Sequence, residues 1–336
     1  MMHDAHSDPY DITFIGGGPI ALFGAWYAGF RQMRTKIIDA LPVLGGQLMA
    51  LYPEKFIYDA PGYPKIQARK LVENLIQQAG LFNPTICLEE SVQEIQPSGN
   101  VMLLNTNKRE HQTRTIVICA GIGSLAPTRP QDMDLAPYEG SSVHYYLGNI
   151  EDFREQSVLV LGSGDLAVDN ALALSKVARS VILVHKLPKL QAKKGGLEAL
   201  QAGPVEVKLS SRLAAVEGQD GRLTSALIRD PKSGEEENIT LDAMIVSLGF
   251  KGSVKSMRNW GLDMEKINLK TNLRMETNLP GVDAAGDVAV QEDGGEPLKL
   301  LSVGFGQAAI AVNWAMHYID PAARVFPGHS SYHDLG

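Results

Sequence analysis

The sequence feature that most constrains the fold is a glycine-rich turn near the start of the chain. The residues from Tyr10 to Ile15 predict a short buried strand, Gly16-Gly17-Gly18-Pro19 predicts a tight turn, and the residues from Ile20 to Phe30 predict a helix rich in small side chains. A second predicted strand, from Lys36 to Asp39, ends in an acidic residue. This order of strand, turn, helix and strand is the βαβ unit of a dinucleotide-binding fold.

Several residues of this motif have a specific physical role. Gly16 permits the turn, Gly18 lets the backbone approach a pyrophosphate, and Ala21 allows the helix to pack closely on the strand. The helix N-terminus then faces the phosphates with its unpaired N–H groups. Asp39, which follows Gly16 by 23 residues, is placed to accept hydrogen bonds from a ribose. The motif does not distinguish FAD from NAD, and a glycine-rich turn without a ligand is the alternative interpretation.

The same unit is predicted a second time in the middle of the chain. An apolar strand from Ser157 to Leu161 precedes Gly162-Ser163-Gly164-Asp165-Leu166-Ala167, a helix that continues to about Val177, and a strand from Ser180 to His185. Two such units are expected when one domain holds a flavin and another brings a nicotinamide to it. The duplication therefore favours redox chemistry.

The residues after this second unit bear on which nicotinamide nucleotide is used. An NAD site usually has an acid at the end of the second strand, whereas an NADP site has cations for the 2′-phosphate. The segment from His185 to Lys194 contains four lysines and no acid. Its charge favours NADPH, and a solvated basic turn is the alternative.

Composition limits the remaining classes of protein. A length of 336 residues predicts about two domains, and a net charge of −7 argues against general nucleic-acid binding. Residues 12–30 carry no charge, but three glycines and a proline interrupt the first half of this run, so we expect no membrane span there. The two cysteines, Cys87 and Cys119, each fall in an apolar run that predicts a strand, and they favour a reducing, cytoplasmic setting.

Further motifs, spread over nearly the whole chain, carry a family resemblance. They are Gly45-Gly46-Gln47-Leu48, Leu51-Tyr52-Pro53-Glu54-Lys55, Ile57-Tyr58-Asp59, Ala284-Ala285-Gly286-Asp287, Gly304-Phe305-Gly306 and Asp320-Pro321-Ala322-Ala323-Arg324-Val325. On these residues the sequence resembles the ferredoxin–NADP reductases of the thioredoxin-reductase-like type. The resemblance implies FAD and NADPH as cofactors, ferredoxin or flavodoxin as partner, and a homodimer.

The resemblance also implies roles for individual residues. Tyr52 and His329 would stack on opposite faces of the flavin ring, with no acid or base required, and His329 could come from the other subunit. The residues assigned to FAD are Gly16, Gly18, Pro19, Ala21, Asp39, Gly46, Gln47, Leu48, Tyr52, Val92, Gly121, Leu125, Asp287, His329 and Ser331. Those assigned to NAD(P)H are Gly162, Gly164, Asp165, Ala167, His185, Lys186 and Gly249.

Two departures separate this chain from related patterns. The segment from His144 to Asn149 has no cysteine where thioredoxin reductases carry Cys-x-x-Cys, so reduction of thioredoxin by disulfide exchange is not expected. Lys186, Leu187 and Gln191 stand where the resembled family has arginines that bind phosphate. Lysine does not reproduce the bidentate grip of arginine. A reductase that uses NADH or a small-molecule or quinone acceptor, and a flavoprotein whose nicotinamide site is lost, therefore stay open.

The predicted architecture is α/β, with two Rossmann-like domains and the second inserted in the first. The FAD-binding domain is expected at residues 1–121 and 250–336, and the NAD(P)H-binding domain at residues 122–249. Each domain should contain a parallel sheet with helices on one face and a smaller antiparallel layer on the other. The eight histidines show no metal-ligand spacing, so no metal site is predicted. Glu235-Glu236-Glu237 is interpreted as a solvated hairpin turn.

Overall fold

The computed structural model of the chain describes residues 8–292 and 295–329. Within these residues the chain forms six α-helices and 22 strands. The helices are α1 (Pro19–Phe30), α2 (Gly46–Leu51), α3 (Ala68–Gly80), α4 (Asp165–Leu174), α5 (Lys194–Ala202) and α6 (Leu301–Ile319).

The strands are mostly short, as is usual for sheets with many connections. In chain order they are β1 (Tyr10–Ile15), β2 (Thr35–Ile38), β3 (Phe56–Ile57), β4 (Ile66–Gln67), β5 (Thr85–Cys87), β6 (Val92–Ser98), β7 (Val101–Thr106), β8 (Glu110–Ile118), β9 (Ser124–Pro127), β10 (Val143–His144), β11 (Ser157–Gly162), β12 (Ser180–Val184), β13 (Glu206–Lys208), β14 (Arg212–Gln219), β15 (Arg222–Arg229), β16 (Glu236–Thr240), β17 (Ala243–Ser247), β18 (Phe250–Ser253), β19 (Met264–Glu265), β20 (Asn268–Thr271), β21 (Val282–Ala284) and β22 (Ala289–Gln291).

The described chain separates into two compact units. The first holds residues 8–48, 55–125, 252–292 and 295–329, and the second holds residues 49–54 and 126–251. The main chain leaves the first unit within β9 and returns to it within β18.

The first unit is built on one sheet with the order β5-β2-β1-β8-β7-β6, and β21 pairs with β8. Strands β5, β2, β1, β8 and β21 are parallel, whereas β8, β7 and β6 form an antiparallel meander. β8 belongs to both parts because its nine residues extend beyond β1. Helix α1 packs on α3 and α6, and a Cβ at Gly24 would lie 2.5 Å from the Phe14 ring. The small residues of α1 thus allow close packing on the sheet.

The second unit is also built from a parallel sheet, an antiparallel layer and packed helices. Its parallel sheet has the order β10-β17-β11-β12-β13, and a three-stranded antiparallel sheet has the order β14-β15-β16. One buried cluster, which includes Val160 and Leu183, packs the parallel sheet against α4 and α5. A second, which includes Leu159 and Val184, packs it against the antiparallel sheet. Adjacent residues of β11 and β12 therefore supply opposite cores, as a buried strand requires.

The α/β class with Rossmann-like, three-layer units is confirmed. The end of helix α4 and the position of Glu236 and Glu237 differ from the predictions. Helix α4 ends at Leu174 rather than near Val177. Glu236 and Glu237 begin β16 instead of lying in the turn, because they pair with Arg229 and Ile228 of β15. In the described part of the chain, no helix is long and apolar enough to cross a membrane.

Candidate nucleotide-binding sites

The first glycine loop joins β1 to α1 in a geometry that excludes larger residues. Gly16 has φ +104°, and a Cβ there would lie 2.6 Å from the carbonyl oxygen of Cys119. Gly18 is extended at the N-cap of α1, and Pro19 occupies the first helical turn. No side chain caps this helix. Its first N–H groups are therefore able to face an anion, and the partial positive charge of the helix end favours one.

Asp39 stabilises the glycine loop directly. It is buried at the end of β2, where its Oδ2 accepts a short hydrogen bond from the Gly17 amide and its Oδ1 accepts one from the Leu41 amide at 2.7 Å. Burial raises the pKa of this carboxyl group, and the two backbone hydrogen bonds act to lower it. Asp39, at the end of β2, thus orders the turn between β1 and α1.

A second glycine-containing loop lies against the first. A Cβ at Gly46 would be 3.0 Å from Gly18 Cα, and Gln47 follows it at the start of α2. Gln47 Nε2 lies 3.4 Å from Asp287 Oδ2, and a Cβ at Gly121 would be 2.8 Å from the same Nε2. The fold therefore brings together residues predicted to contact FAD that are up to 269 positions apart.

Asp287 is fixed by contacts that sequence reasoning missed. Asn268 Nδ2 donates to the Asp287 carbonyl oxygen at 2.6 Å, and the Gly286 amide donates to Gln307 Oε1, on α6, at 2.8 Å. Neither Asn268 nor Gln307 belongs to a motif. No local signal could have identified them, because their roles depend on long-range pairing.

The remaining residues predicted to contact FAD lie in different environments. Ala21, Leu48, Val92 and Leu125 are buried, and Val92 belongs to the core between the parallel sheet and the meander. Tyr52 is half-buried and belongs to the second compact unit. His329 is exposed, with its ring edge-on to Phe326 at 5.3 Å. Ser331 lies outside the described residues.

The second glycine loop joins β11 to α4 in the second unit. A Cβ at Gly162 would lie 2.4 Å from the Ser247 carbonyl oxygen and 2.7 Å from Ala167 Cβ, so strand and helix are in close contact here. Gly164 is extended at the N-cap of α4. Among the described residues no side chain caps this helix, and none outside the loop lies within 4 Å of a Cβ built on Gly164. This open helix N-terminus is suited to a phosphate group.

The lysine-rich segment folds back onto the second glycine loop. The Gln191 amide donates to the Ser163 carbonyl oxygen at 2.8 Å, and the Lys193 amide donates to Asp165 Oδ1 at 2.8 Å. Lys193 Nζ lies 4.0 Å from Asp165 Oδ2. The negative charge of Asp165 at the start of α4 is therefore partly balanced by this segment.

The remaining residues predicted to contact NAD(P)H are His185, Lys186 and Gly249. His185 is buried at the end of β12, its Nε2 makes no hydrogen bond, and burial, assisted by Lys186, lowers its pKa. Lys186 is exposed, and the Gly249 carbonyl oxygen accepts a hydrogen bond from the Thr128 amide. A buried neutral imidazole and an exposed ammonium group thus follow β12 in succession.

A separate buried polar cluster lies in the first unit. Cys87, Glu90 and His111 place potential metal-ligating atoms within 4.8 Å of one another. Two cations already contact this cluster, since Lys36 Nζ lies 2.9 Å from His111 Nδ1 and Arg109 binds Glu90 at 3.3 Å. Because an ammonium group only donates, His111 Nδ1 accepts from Lys36 and Nε2–H donates to Glu90 at 2.6 Å. The cluster is therefore a hydrogen-bonded charge network.

The two βαβ units, each with a glycine loop at the start of a helix, define a protein with two Rossmann-type domains. The model of the pyridine nucleotide-disulphide oxidoreductase family matches residues 10–315. The chain belongs to this family. Among curated proteins it is 45% identical to the ferredoxin–NADP reductase of Geobacillus kaustophilus over 96% of both chains, and 43% identical to ferredoxin–NADP reductase 2 of Listeria innocua over 98% of both.

Solved structures agree on the fold. The thioredoxin reductase of Lactococcus lactis matches 92% of this chain and 99% of its own, with a TM-score of 0.61 and 24% identity. The thioredoxin reductase of T. acidophilum matches 94% of this chain and 100% of its own, with a TM-score of 0.62 and 18% identity. At these identities the similarity establishes the fold alone.

Proposed function

We propose that this protein is an FAD-dependent reductase that moves electrons between NADPH and ferredoxin or flavodoxin. The observation that carries the proposal is the pair of glycine loops, one in each compact unit, each at a helix N-terminus that no side chain caps. Curated relatives named ferredoxin–NADP reductase, 45% identical over nearly the whole chain, support the same activity.

The first unit suits FAD. The N–H groups of α1 and the open backbone at Gly18 would bind the pyrophosphate, Asp39 the adenosine ribose, and Gln47 and Asp287 the flavin and ribityl end. Bound FAD would supply hydride acceptance and one-electron donation, which no side chain offers. We assign residues 1–121 and 250–336 to FAD binding and residues 122–249 to NAD(P)H binding.

No acid or base of the protein is required in this mechanism. Tyr52 and His329 would cover the two faces of the flavin ring, which shields it from water and tunes it by stacking. The tail that carries His329 would reach the flavin of a second subunit in a homodimer. We further propose a cytoplasmic location, from the pattern of cysteine use.

The cysteines argue against a disulfide substrate. The chain contains only Cys87 and Cys119, and both are buried. Burial raises the pKa of Cys119 far above its usual range. Such a thiol stays protonated at neutral pH, and the thiolate is the reactive form. This supports an acceptor that takes electrons from the flavin itself.

The lysine-rich segment supports NADPH as the nucleotide. The backbone amides of its Gln191 and Lys193 donate hydrogen bonds to Ser163 and Asp165 of the second glycine loop. Lys186, in the same segment, is exposed. Leu187 and Gln191 carry no charge, and this favours a second candidate, a reductase that also accepts NADH.

An anaerobic titration of the flavin absorption band with NADPH and then NADH tests the proposal. We expect bleaching at lower concentrations of NADPH than of NADH. Lys186→Ala should raise the KM for NADPH about tenfold, which corresponds to the loss of one charge-assisted contact, and leave the KM for NADH unchanged. Lys176→Ala, at the opposite end of α4, is the matched control. An FAD-loaded protein that neither nucleotide bleaches would overturn the proposal.

A further inference from the structure

An exposed apolar surface lies in the first unit, around the hairpin of β3 and β4. Among the described residues seventeen large apolar side chains are exposed, and five of them occupy only two short segments, residues 56–63 and 298–300. Folded monomers rarely expose such concentrations without a function. The apolar members are Phe56, Tyr58, Tyr63, Leu298 and Leu300, with exposed fractions of 51%, 70%, 42%, 71% and 46%. With the basic residues Lys65, Arg69 and Lys299 they form what we call the hairpin patch.

The two segments of the hairpin patch are joined by direct contacts. Strands β3 and β4 pair through Phe56 and Gln67, and Lys65 Nζ lies 4.9 Å above the Phe56 ring. The Leu301 amide donates to Asp59 Oδ2 at 2.7 Å, which brings the segment 298–300 beside Tyr58. The segment that carries the aromatic rings and the segment that carries the leucines are therefore adjacent.

The charge of the hairpin patch is opposite to that of the whole protein. The chain carries a net charge of −7, whereas residues 55–70 contain four basic side chains, of which Lys70 is paired with Glu73, and only one acid, Asp59. The carboxylate of Asp59 accepts the hydrogen bond from Leu301. In the second segment Lys299 is exposed between two exposed leucines, and Glu296 is the nearest acid in sequence. An apolar centre with a basic rim complements an acidic protein.

The patch also lies close to the residues proposed to hold the flavin, without including any of them. Leu301, which contacts Asp59, begins α6, and Gln307 on the same helix accepts from Gly286, the residue before Asp287. Six residues of α-helix span about 9 Å. An electron carrier seated on the patch would therefore be near the cofactor.

We propose that the hairpin patch is the docking surface for the acidic electron-carrier protein with which this reductase exchanges electrons. The proposal rests on the proposed function, because it names the surface used by the partner of that reaction. Charge steers the encounter, and the aromatic rings supply the buried contact.

The test uses the FAD-loaded protein, an acidic ferredoxin and NADPH, with cytochrome c as the terminal acceptor. Tyr58→Ser and the double variant Lys65→Glu with Lys299→Glu should each raise the KM for ferredoxin about tenfold, the effect of one interface anchor. Ferricyanide reduction by NADPH should be unchanged, which shows that the fold and flavin are intact. The apparent affinity of the wild type should fall with salt, and that of the charge-reversed variant should depend less on salt.

Matched controls come from elsewhere on the surface. Leu273→Ser removes a side chain that is 71% exposed, and Lys232→Glu reverses a charge in the second unit. Both should leave the KM for ferredoxin unchanged. A wild type that reduces ferredoxin with a KM unaffected by the patch variants would overturn the docking surface alone.

Two other outcomes also count against the docking surface. A wild type that reduces ferricyanide but neither ferredoxin nor flavodoxin would overturn the proposed acceptor and the surface with it. A change of oligomeric state in Tyr58→Ser, measured by light scattering, would identify the patch as a contact between copies of the chain.

Discussion

Removal of the Glu90 carboxylate should destabilise the first unit strongly. The side chain of Glu90 is 1% exposed and accepts hydrogen bonds from His111, Arg109 and Thr106. Breaking a buried ion pair by removing one partner costs about 3–5 kcal/mol. Arg109 is 61% exposed and can rehydrate, so we expect the lower end, about 3 kcal/mol, for Glu90→Ala. For a unit of about 200 residues this lowers the Tm by about 6–12 °C.

The control is an exposed ion pair of the same unit. Glu73 binds Lys70 at 3.1 Å, and their side chains are 53% and 62% exposed. Glu73→Ala should cost about 0.2–1 kcal/mol, a change of Tm of no more than about 4 °C. The measurement is thermal unfolding by calorimetry and circular dichroism. Equal changes of Tm in the two variants would refute the argument that burial increases the contribution of the Glu90 network to the free energy of unfolding.

The pH dependence gives an independent check. Burial acts to raise the pKa of Glu90, but the hydrogen bonds from His111, Arg109 and Thr106 outweigh it and lower the pKa. The folded state therefore favours the carboxylate, and its stabilisation is complete above the unfolded pKa of 4.5 and is lost as the pH falls through the folded pKa. The difference in Tm between wild type and Glu90→Ala should therefore shrink as the pH falls below 4.5.

Three further predictions concern single residues of the first unit. Gly16→Ala should abolish FAD retention in purified protein, because a Cβ would lie 2.6 Å from the Cys119 carbonyl oxygen at φ +104°; a variant that stays fully loaded would contradict this. Asp39→Asn should weaken FAD binding about tenfold in a fluorescence titration of apoprotein, since an amide cannot accept from both backbone N–H groups; an unchanged Kd would count against it. Burial raises the pKa of Asp283 well above 3.8, so the wild type should lose stability as the pH rises from 3.8 towards the folded pKa, whereas Asp283→Asn should not. Parallel pH–stability curves for the two proteins would refute the last prediction.

The metal prediction illustrates the limit of spacing arguments. The histidines show no metal-ligand pattern in sequence, yet Cys87, Glu90 and His111 converge, although β2 and β1 separate β5 from β8 in the strand order. The same sheet brings Lys36 into the cluster from β2. Which charges share a buried site depends on strand order, and sequence spacing carries no information about that order.

Short-range patterns in the sequence were sufficient to predict the local units of this protein. Strand β1 has the predicted bounds, and the two glycine loops each connect a strand to a helix, because steric limits and hydrophobic periodicity act over a few residues. The absence of a Cys-x-x-Cys was equally readable from the chain. These features define the family and the class of chemistry.

The contacts between residues distant in sequence arise from the tertiary fold. In the folded chain Asp39 accepts a hydrogen bond from the Gly17 amide, and Gln47 lies beside Asp287. Asp59 accepts a hydrogen bond from the amide at the start of α6. The tertiary fold also moved Glu236 from an expected turn into a strand. Each of these outcomes depends on groups distant in sequence losing water together and satisfying one another's hydrogen bonds, and local preferences do not specify such pairings.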